Sequence, residues 1–170
     1  MSGVTLRVTV KDGASPAFRR LQALAADPRH LMAEVGQTLV TNRQLRFETG
    51  TGPDRKPWKP SIRAQRGNGQ TLIDRGMLRD SVVRQPAVAG NSVTLSTNVR
   101  YAAVHEFGAT IKPVKARALR FALPGGGFAT VKQAVIPARP FMAFDRDDRE
   151  DVLATVRAHI ARLSGGGATA

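Results

Sequence analysis

Cysteine is absent from the 170 residues, and aromatic side chains make up only 5% of them. The missing thiols exclude a disulfide framework, a thiolate nucleophile and a cysteine-based metal site. Acidic residues are also scarce, because 13 Asp and Glu stand against 26 Lys and Arg and leave a formal net charge of +13. A charge of this size predicts an anionic neighbour, either nucleic acid or an acidic protein surface.

Long hydrophobic runs are missing as well. No stretch approaches the roughly 18 apolar residues that a transmembrane helix requires. The N-terminus has no basic segment followed by an apolar one, so no secretory signal is expected and a cytosolic origin fits. The apolar fraction of 42% is ordinary, and a chain of this length suits one core. We therefore expect a single domain over residues 1–163 and a flexible tail at 164–170.

The patterns of common catalytic and metal sites do not occur either. The three histidines, His30, His105 and His159, fall in different predicted elements, and His105-Glu106 is not followed by the second histidine of an H-E-x-x-H zinc site. Neither a P-loop nor a G-x-S-x-G nucleophile elbow is present. The sequence therefore predicts no enzyme, no cofactor and no metal, and a convergence of His105, Glu106 and Asp74 is the one catalytic arrangement left open.

Hydrophobic spacing predicts one strand and two helices in the N-terminal part of the chain. Val4, Leu6, Val8 and Val10 alternate with polar residues, which predicts a half-buried strand over residues 4–10. The first helix covers residues 14–26. The Asp27-Pro28 pair suits the N-cap and first position of a second helix over residues 29–48. The polar face of this second helix carries Arg43 and Arg46, and we expect that face in solvent or against a partner.

A final helix is predicted over residues 146–163. The acidic residues at its start suit the positive end of the helix dipole. Apolar residues then recur at spacings of three and four, and they are expected in the core: Leu153, Val156, Ile160 and Leu163.

Two shorter helices are predicted in the middle of the chain. Asp74 suits the N-cap of a helix that ends near Ser81. Gly108 suits a left-handed position after the helical run at residues 101–107. Between these helices, residues 82–85 and 93–97 are β-prone and flank Gly90-Asn91, a pair typical of a reversing turn.

A second hairpin is predicted over residues 110–136, with a glycine-rich tip. The surrounding span, residues 100–139, contains one acid, Glu106, and seven cations, so that its net charge is +6. The cations are Arg100, Lys112, Lys115, Arg117, Arg120, Lys132 and Arg139. We expect this hairpin to be a basic arm.

Residues 50–70 are rich in Gly and Pro, and their composition predicts a long surface loop without a helix or an inner strand. A loop of this length is usually functional or disordered. Its single Trp58 favours function, because so large an apolar ring is expected to pack on the domain or on a partner. With the elements above, the chain predicts an α+β fold in which an antiparallel sheet of about four or five strands packs against two or three helices.

Four segments in this order carry a family resemblance. They are Phe47 followed by Gly-x-Gly-Pro-Asp-x-x-Pro-Trp-x-Pro, then Leu72-Ile73-Asp74-x-Gly76-x-Leu78-Arg79-Asp80-Ser81, then Asn98-Val99-x-Tyr101-Ala102-x-x-His105-x-Phe107-Gly108, and last Ile136-Pro137-Ala138-Arg139-Pro140-Phe141. With them, the chain resembles the phage virion morphogenesis or tail-completion family, known from Mu-like and related tailed phages.

The resemblance implies a structural virion protein, assembled in the host cytoplasm, with no enzymatic activity. It implies a homo-oligomeric ring, expected to be hexameric, that joins connector and tail at the head-tail junction as a tail completion or terminator protein. The expected partners are further copies of the chain, adjacent connector and tail proteins and, through non-specific contacts, packaged DNA. No membrane partner is expected.

Cations of the loop and the arm are the predicted contact residues. Subunit or ring contacts are predicted for Arg55, Lys56, Trp58, Lys59, Arg63, Arg66, Lys112, Lys115 and Arg117. The residues predicted to face a DNA channel are Arg120, Lys132, Arg43 and Arg46. Deletion of residues 55–69 is expected to leave the monomer folded and to abolish assembly.

A basic nucleic-acid-binding domain that acts as a monomer is the alternative function. It predicts duplex binding that weakens steeply with salt. Few aromatic residues accompany the cations, and no reading helix is recognisable, which makes this alternative weaker.

Overall fold

The computed structural model describes residues 14–67, 69–82, 86–123 and 126–165. The strand predicted over residues 4–10 and the predicted strand residues 83–85 lie outside these ranges. The described elements are α1 (Ala14–Ala26), α2 (Arg29–Thr49), a 3-10 turn (Pro53–Arg55), α3 (Ile62–Gly67), α4 (Met77–Val82), β1 (Ala87–Ala89), β2 (Ser92–Thr94), α5 (Ala102–Phe107), β3 (Ala109–Ile111), β4 (Leu119–Ala122), β5 (Phe128–Val131), β6 (Ala134–Ile136) and α6 (Arg146–Gly165).

The mixture of helices and strands confirms the predicted α+β class. Within the described ranges, the strands pair antiparallel as β1 with β2, β3 with β6 and β4 with β5. These pairs form three separate two-stranded sheets in place of the single sheet of four or five strands that we expected. Each strand has only three or four residues, and two-stranded pairs are marginal alone. The core is therefore built by helices together with Trp58 and Phe141, which lie outside the helices and strands.

Helix α2 confirms the predicted second helix almost to the residue. Pro28 takes the N-cap position that we assigned to Asp27, and the Asp27 carboxylate accepts the Arg29 backbone N–H at 3.3 Å. The helix ends at Gly50, whose φ of 68° and ψ of 29° are left-handed. Such a conformation costs glycine nothing, and it directs the chain out of the helix toward Trp58.

The core is a cluster of residues from five parts of the chain: Phe47, Trp58, Leu78, Val82, Ala102 and Phe141. Phe47 is its centre, because its ring lies 5.7 Å from the ring of Trp58 and 5.5 Å from that of Phe141, measured between centroids. The Trp58 indole N–H donates to the Pro140 carbonyl at 3.1 Å. The polar edge of the indole is therefore satisfied while its ring is buried.

The described residues of the segment 50–70 include short helical elements, so the prediction of a loop that cannot hold a helix is wrong. The segment contains the 3-10 turn and α3, and Thr51 and Pro57 form a β-bridge that closes its first part. Ser61 starts α3, since its hydroxyl accepts the Ala64 N–H at 3.1 Å. The composition signal failed because the glycines and prolines lie at the ends of these short elements.

In the middle of the chain, several helix and strand boundaries differ from the predicted ones. Helix α4 begins at Met77, and Asp74 is an exposed residue before it. Val82, predicted to start a strand, ends α4 and is 1% exposed, because it lies one helical turn after the core residue Leu78. The first described strand is β1 at Ala87–Ala89, and Gly90, with a φ of 57°, makes the predicted turn into β2.

The β1–β2 hairpin packs on α2 at Gly36. A Cβ atom at this position would lie 2.6 Å from Pro86 Cγ and 2.8 Å from Val93 Cγ2, which is closer than carbon atoms approach. Glycine in the middle of α2 is unfavourable for the helix alone, and here it allows the hairpin to approach the helix.

The contact between α2 and α6 is polar. The Thr38 and Thr155 hydroxyls lie 2.8 Å apart, and Glu34 accepts a hydrogen bond from Arg162 at 2.6 Å. The apolar stripe predicted for α6 is not turned fully inward, because Leu153 and Ile160 are 41% and 37% exposed. Helix α6 also continues to Gly165, two residues past its predicted end.

Candidate assembly surface

The predicted basic arm is a two-part β-ribbon over residues 109–136. Its base is the β3–β6 pair, in which Thr110 faces Val135. Its outer part is the β4–β5 pair, in which Arg120 faces Thr130. The hairpin prediction for this segment is therefore confirmed, with the strands shorter than expected.

Glycine closes the outer end of the ribbon. Gly126 and Gly127 have φ values of 101° and 83°, which side-chain-bearing residues rarely adopt. The Leu123 N–H donates to the Gly127 carbonyl at 3.0 Å, and the Gly126 N–H donates to the Leu123 carbonyl at 3.1 Å. These two hydrogen bonds join the described residues at the tip. Strand β5 follows Gly127 directly, so no helix N-terminus is present there to hold a phosphate.

Side chains on the ribbon are open to solvent to an unusual degree. Val114, Val135 and Phe128 are 96%, 65% and 62% exposed. Residues 109–136 contain no acid, and their cations are exposed: Lys112, Lys115, Arg117, Arg120 and Lys132. The Arg120 guanidinium lies over the Phe128 ring at 4.3 Å from its centroid, a cation–π contact that pairs charge with apolar surface. Strand edges and apolar side chains left open in this way favour binding to another protein.

The ribbon is tied to the body at its base. The Glu106 carboxylate accepts the backbone N–H groups of Phe141, Met142 and Ala143 at 2.8, 3.0 and 3.1 Å. Gly108 has the predicted positive φ, 74°, but its ψ of 162° is extended, so it leads directly into β3. A Cβ atom on Gly108 would meet the Ala138 nitrogen at 2.8 Å. These contacts fix the start of the ribbon against the segment that follows it.

Glu106 belongs to the arrangement of His105, Glu106 and Asp74 that the sequence left open as catalytic. Because its carboxylate holds three amides, it is not available as the partner of His105 in an acid-base pair. Burial, and then the positive charge of Arg139, lower the pKa of His105. Among the described residues, no group of three or more His, Asp or Glu is placed to bind a metal ion.

The loop cations occupy varied positions. Lys56, Lys59 and Arg66 are exposed, and Arg55, also exposed, forms an ion pair with Asp147 at 2.9 Å. Arg63 is half-buried and donates to the Gln70 and Ile73 carbonyls, which holds the segment together. Trp58 is 6% exposed inside its own chain, so its predicted role in a subunit contact is wrong.

Arg43 and Arg46 are buried, so their predicted place on a solvent face or in a DNA channel is wrong. Arg43 and Arg46 are 3% and 7% exposed, and both pair with Asp148, at 2.7 and 2.9 Å. Arg46 also meets Asp145 at 2.7 Å. Burial alone would raise the pKa of Asp148, but hydrogen bonds from Arg43 and Asn42 and the two positive charges lower it.

Sequence reasoning missed this ion-pair cluster and the Glu106 anchor. Spacing on one helix shows which residues share a face, and it does not show which charges on another element will meet that face. The acids from Asp147 to Asp151 predicted only a helix start. Asp148 faces Arg43, which lies 105 residues earlier in the sequence. Contacts over so long a separation leave no local pattern in the sequence.

None of the helices in the described ranges has the length and hydropathy that crossing a bilayer requires.

Comparison with known proteins shows the family to which the chain belongs. The model of the phage virion morphogenesis family matches residues 11–161, and the chain belongs to that family. This finding confirms the resemblance seen in the four sequence segments, and it supports a structural, virion-associated role in phage morphogenesis.

The chain is also similar in sequence to a curated relative. The chain is 26% identical, over 147 residues, to a Haemophilus influenzae protein named Mu-like prophage FluMu G protein 2. The match covers 86% of this chain and 88% of the relative. No solved structure matches the chain.

Proposed function

We propose that the protein is a non-enzymatic component of the head-tail junction of a tailed phage, where copies of it form a ring that joins connector and tail. The observation that carries this proposal is the uncovered basic ribbon at residues 109–136. Family membership supports a role in building the virion, and a ring requires each subunit to present a surface to the next.

The ribbon is the proposed subunit contact. Its cations Lys112, Lys115 and Arg117 meet acidic surface on a neighbouring copy or adjacent virion protein, and its exposed apolar side chains pack there. The loop cations Arg55, Lys56, Lys59, Arg63 and Arg66 form a second proposed contact. Arg120 and Lys132 are the remaining candidates to face packaged DNA, through sequence-independent attraction to phosphate.

Sedimentation velocity on the purified chain tests the ribbon contact. We expect the triple variant K112Q/K115Q/R117Q to weaken self-association by roughly tenfold, since each lost surface pair is worth a fraction of a kcal/mol. The control R19Q/R149Q/R157Q removes three exposed cations elsewhere and is expected to associate normally. Equal weakening in both variants would show an effect of net charge alone and would contradict a ribbon contact.

Monomeric nucleic-acid binding is the second candidate, favoured by one observation. A two-stranded ribbon with exposed cations has the width to enter a major groove. This candidate predicts that the monomer binds duplex DNA with an affinity that falls steeply between 50 and 200 mM salt, on the order of a thousandfold or more. Weak duplex binding by the monomer, together with ribbon-dependent self-association, would favour the ring.

A further inference from the structure

A cleft beside the core collects polar residues from separate segments of the chain. Asp74 and Arg75 come from the turn before α4, Tyr101 and His105 from the α5 region, and Arg139 from the segment after the ribbon. The apolar residues of the same segments, among them Leu78, Ala102 and Phe141, lie in the core. Packing therefore accounts for the apolar residues of these segments but not for the polar residues that line the cleft.

Arg139 is the residue that stands out in this cleft. It is 5% exposed, and its Nε donates to the Lys59 carbonyl at 2.7 Å. Its two terminal nitrogens have no hydrogen-bond partner, and no carboxylate pairs with it, among the residues that the structure describes. Burial lowers the pKa of this guanidinium, because a desolvated charge without a counter-charge is costly.

Two other buried arginines provide an internal comparison. Arg43 and Arg46 are buried to a similar extent, and each has a carboxylate within 2.9 Å. Within the described ranges, acids therefore pair with the buried arginines at one place, and none pairs with Arg139.

The rest of the cleft is also positive. Arg63 and Arg75 lie at its edge, and its one acid, Asp74, is 73% exposed and only 3.7 Å from Arg63 Nε. Three arginines against one aspartate leave a charge of +2 with His105 neutral. The His105 Nδ1 atom is buried without a hydrogen-bond partner in the described part of the chain, and its ring meets the Tyr101 ring edge-on at 5.8 Å.

We propose that this cleft binds the carboxylate of an acidic side chain presented by a neighbouring protein, with Arg139 as the pairing residue at its base. A carboxylate on one or two methylene groups can reach a guanidinium that is 5% exposed, and its two oxygens match the two free nitrogens of Arg139. A DNA duplex is wide and rigid, so its phosphates reach exposed cations such as those of the ribbon more easily than a buried arginine in a cleft.

The pKa of His105, followed through its ring protons by NMR, reports occupancy of the cleft. Titrations of the full chain in sodium acetate and in sodium chloride at equal ionic strength are compared. We expect a higher His105 pKa in acetate, because a bound carboxylate offsets the Arg139 charge that lowers it. Arg139→Lys keeps the charge and loses the planar pair of donors, so we expect acetate to bind about tenfold more weakly.

Two further variants keep the test independent of folding. Arg75→Gln, at the exposed edge, is expected to weaken acetate binding about twofold to fivefold, and Arg117→Gln on the ribbon is expected to leave it unchanged. The proposal is overturned if acetate and chloride give the same His105 pKa in the unmodified chain. It is also overturned if Arg75→Gln and Arg117→Gln respond alike, or if inorganic phosphate and a short duplex shift His105 while acetate does not.

Discussion

Asp148 determines the burial of two arginines that helical periodicity alone does not predict. It is 1% exposed, accepts hydrogen bonds from Asn42 and Arg43, and pairs with Arg46. Sequence reasoning counted Arg43 and Arg46 as solvent-facing because isolated charges are usually exposed. Only the fold, which packs α6 against α2, supplies the counter-charge that makes their burial possible.

Asp148→Asn is predicted to lower the free energy of unfolding by about 3–5 kcal/mol, because it leaves two buried guanidinium groups with too little negative charge. Urea denaturation at pH 7 measures this change. Asp151→Asn, on the same helix but exposed, is the matched control and is expected to stay within about 0.5 kcal/mol of the unmodified chain. Equal and small effects of both substitutions would contradict the structural role of the cluster.

The same carboxylate predicts how stability depends on pH. The pKa of Asp148 is lowered in the folded chain, so its contribution is present above the unfolded carboxyl pKa of about 3.9 and is lost as the pH falls through the lower folded value. We expect the urea midpoint of the unmodified chain to drop between pH 5 and acid pH. Asp148→Asn should flatten this drop, and an unchanged pH profile would argue against the ion pairs.

At the scale of elements, the sequence predicted most of what spacing and turn residues encode. Helices α1, α2 and α6, the Gly90 turn and the ribbon were all predicted, because each has a regular pattern or a glycine suited to its turn. Helix α3 was not predicted, since one turn of helix between glycines and prolines has no period to detect. For Trp58 the sequence left open packing on the domain or on a partner, and the structure shows packing on the domain. The orientation of α6 was missed because polar residues, including Thr155, form its contact with α2.

Trp58→Ala is predicted to destabilise the fold by about 3–5 kcal/mol, since it empties part of the core against Phe47 and Phe141. Arg66→Ala, in the same segment but exposed, should have little effect. Thermal denaturation compares the two. For the same reason, deletion of residues 55–69 is now expected to unfold the monomer, which reverses our expectation from the sequence.

The ribbon is predicted to be separable from the fold. Replacement of residues 112–133 by an Asn-Gly turn would join Ile111 to its partner Ala134 through a two-residue hairpin loop. We expect a melting temperature within a few degrees of the unmodified chain, because β4 and β5 make their main contacts with each other. A collapse of the helical circular dichroism signal would show that the ribbon is part of the core instead.

At the scale of the whole molecule, the distribution of the acids along the chain decides which cations remain available to bind other molecules. Five of the 13 acids lie in residues 145–151, and they bind side chains of their own chain: Asp145 with Arg46, Asp147 with Arg55, Asp148 with Arg43, Glu150 with Arg146 and Asp151 with Asn42. The ribbon has no acids of its own, so its charge is left for other molecules.

The most direct test of the proposed function is to count this chain in purified phage particles made with either the unmodified protein or the variant that lacks residues 112–133. Quantitative mass spectrometry, with electron microscopy of the same particles, provides the count and the location. We predict a fixed, small number of copies at the head-tail junction of normal particles, and none there, with heads and tails unjoined, for the shortened variant. Infectious, joined particles that contain no copy of the chain, or that form equally well with the shortened variant, would contradict the account.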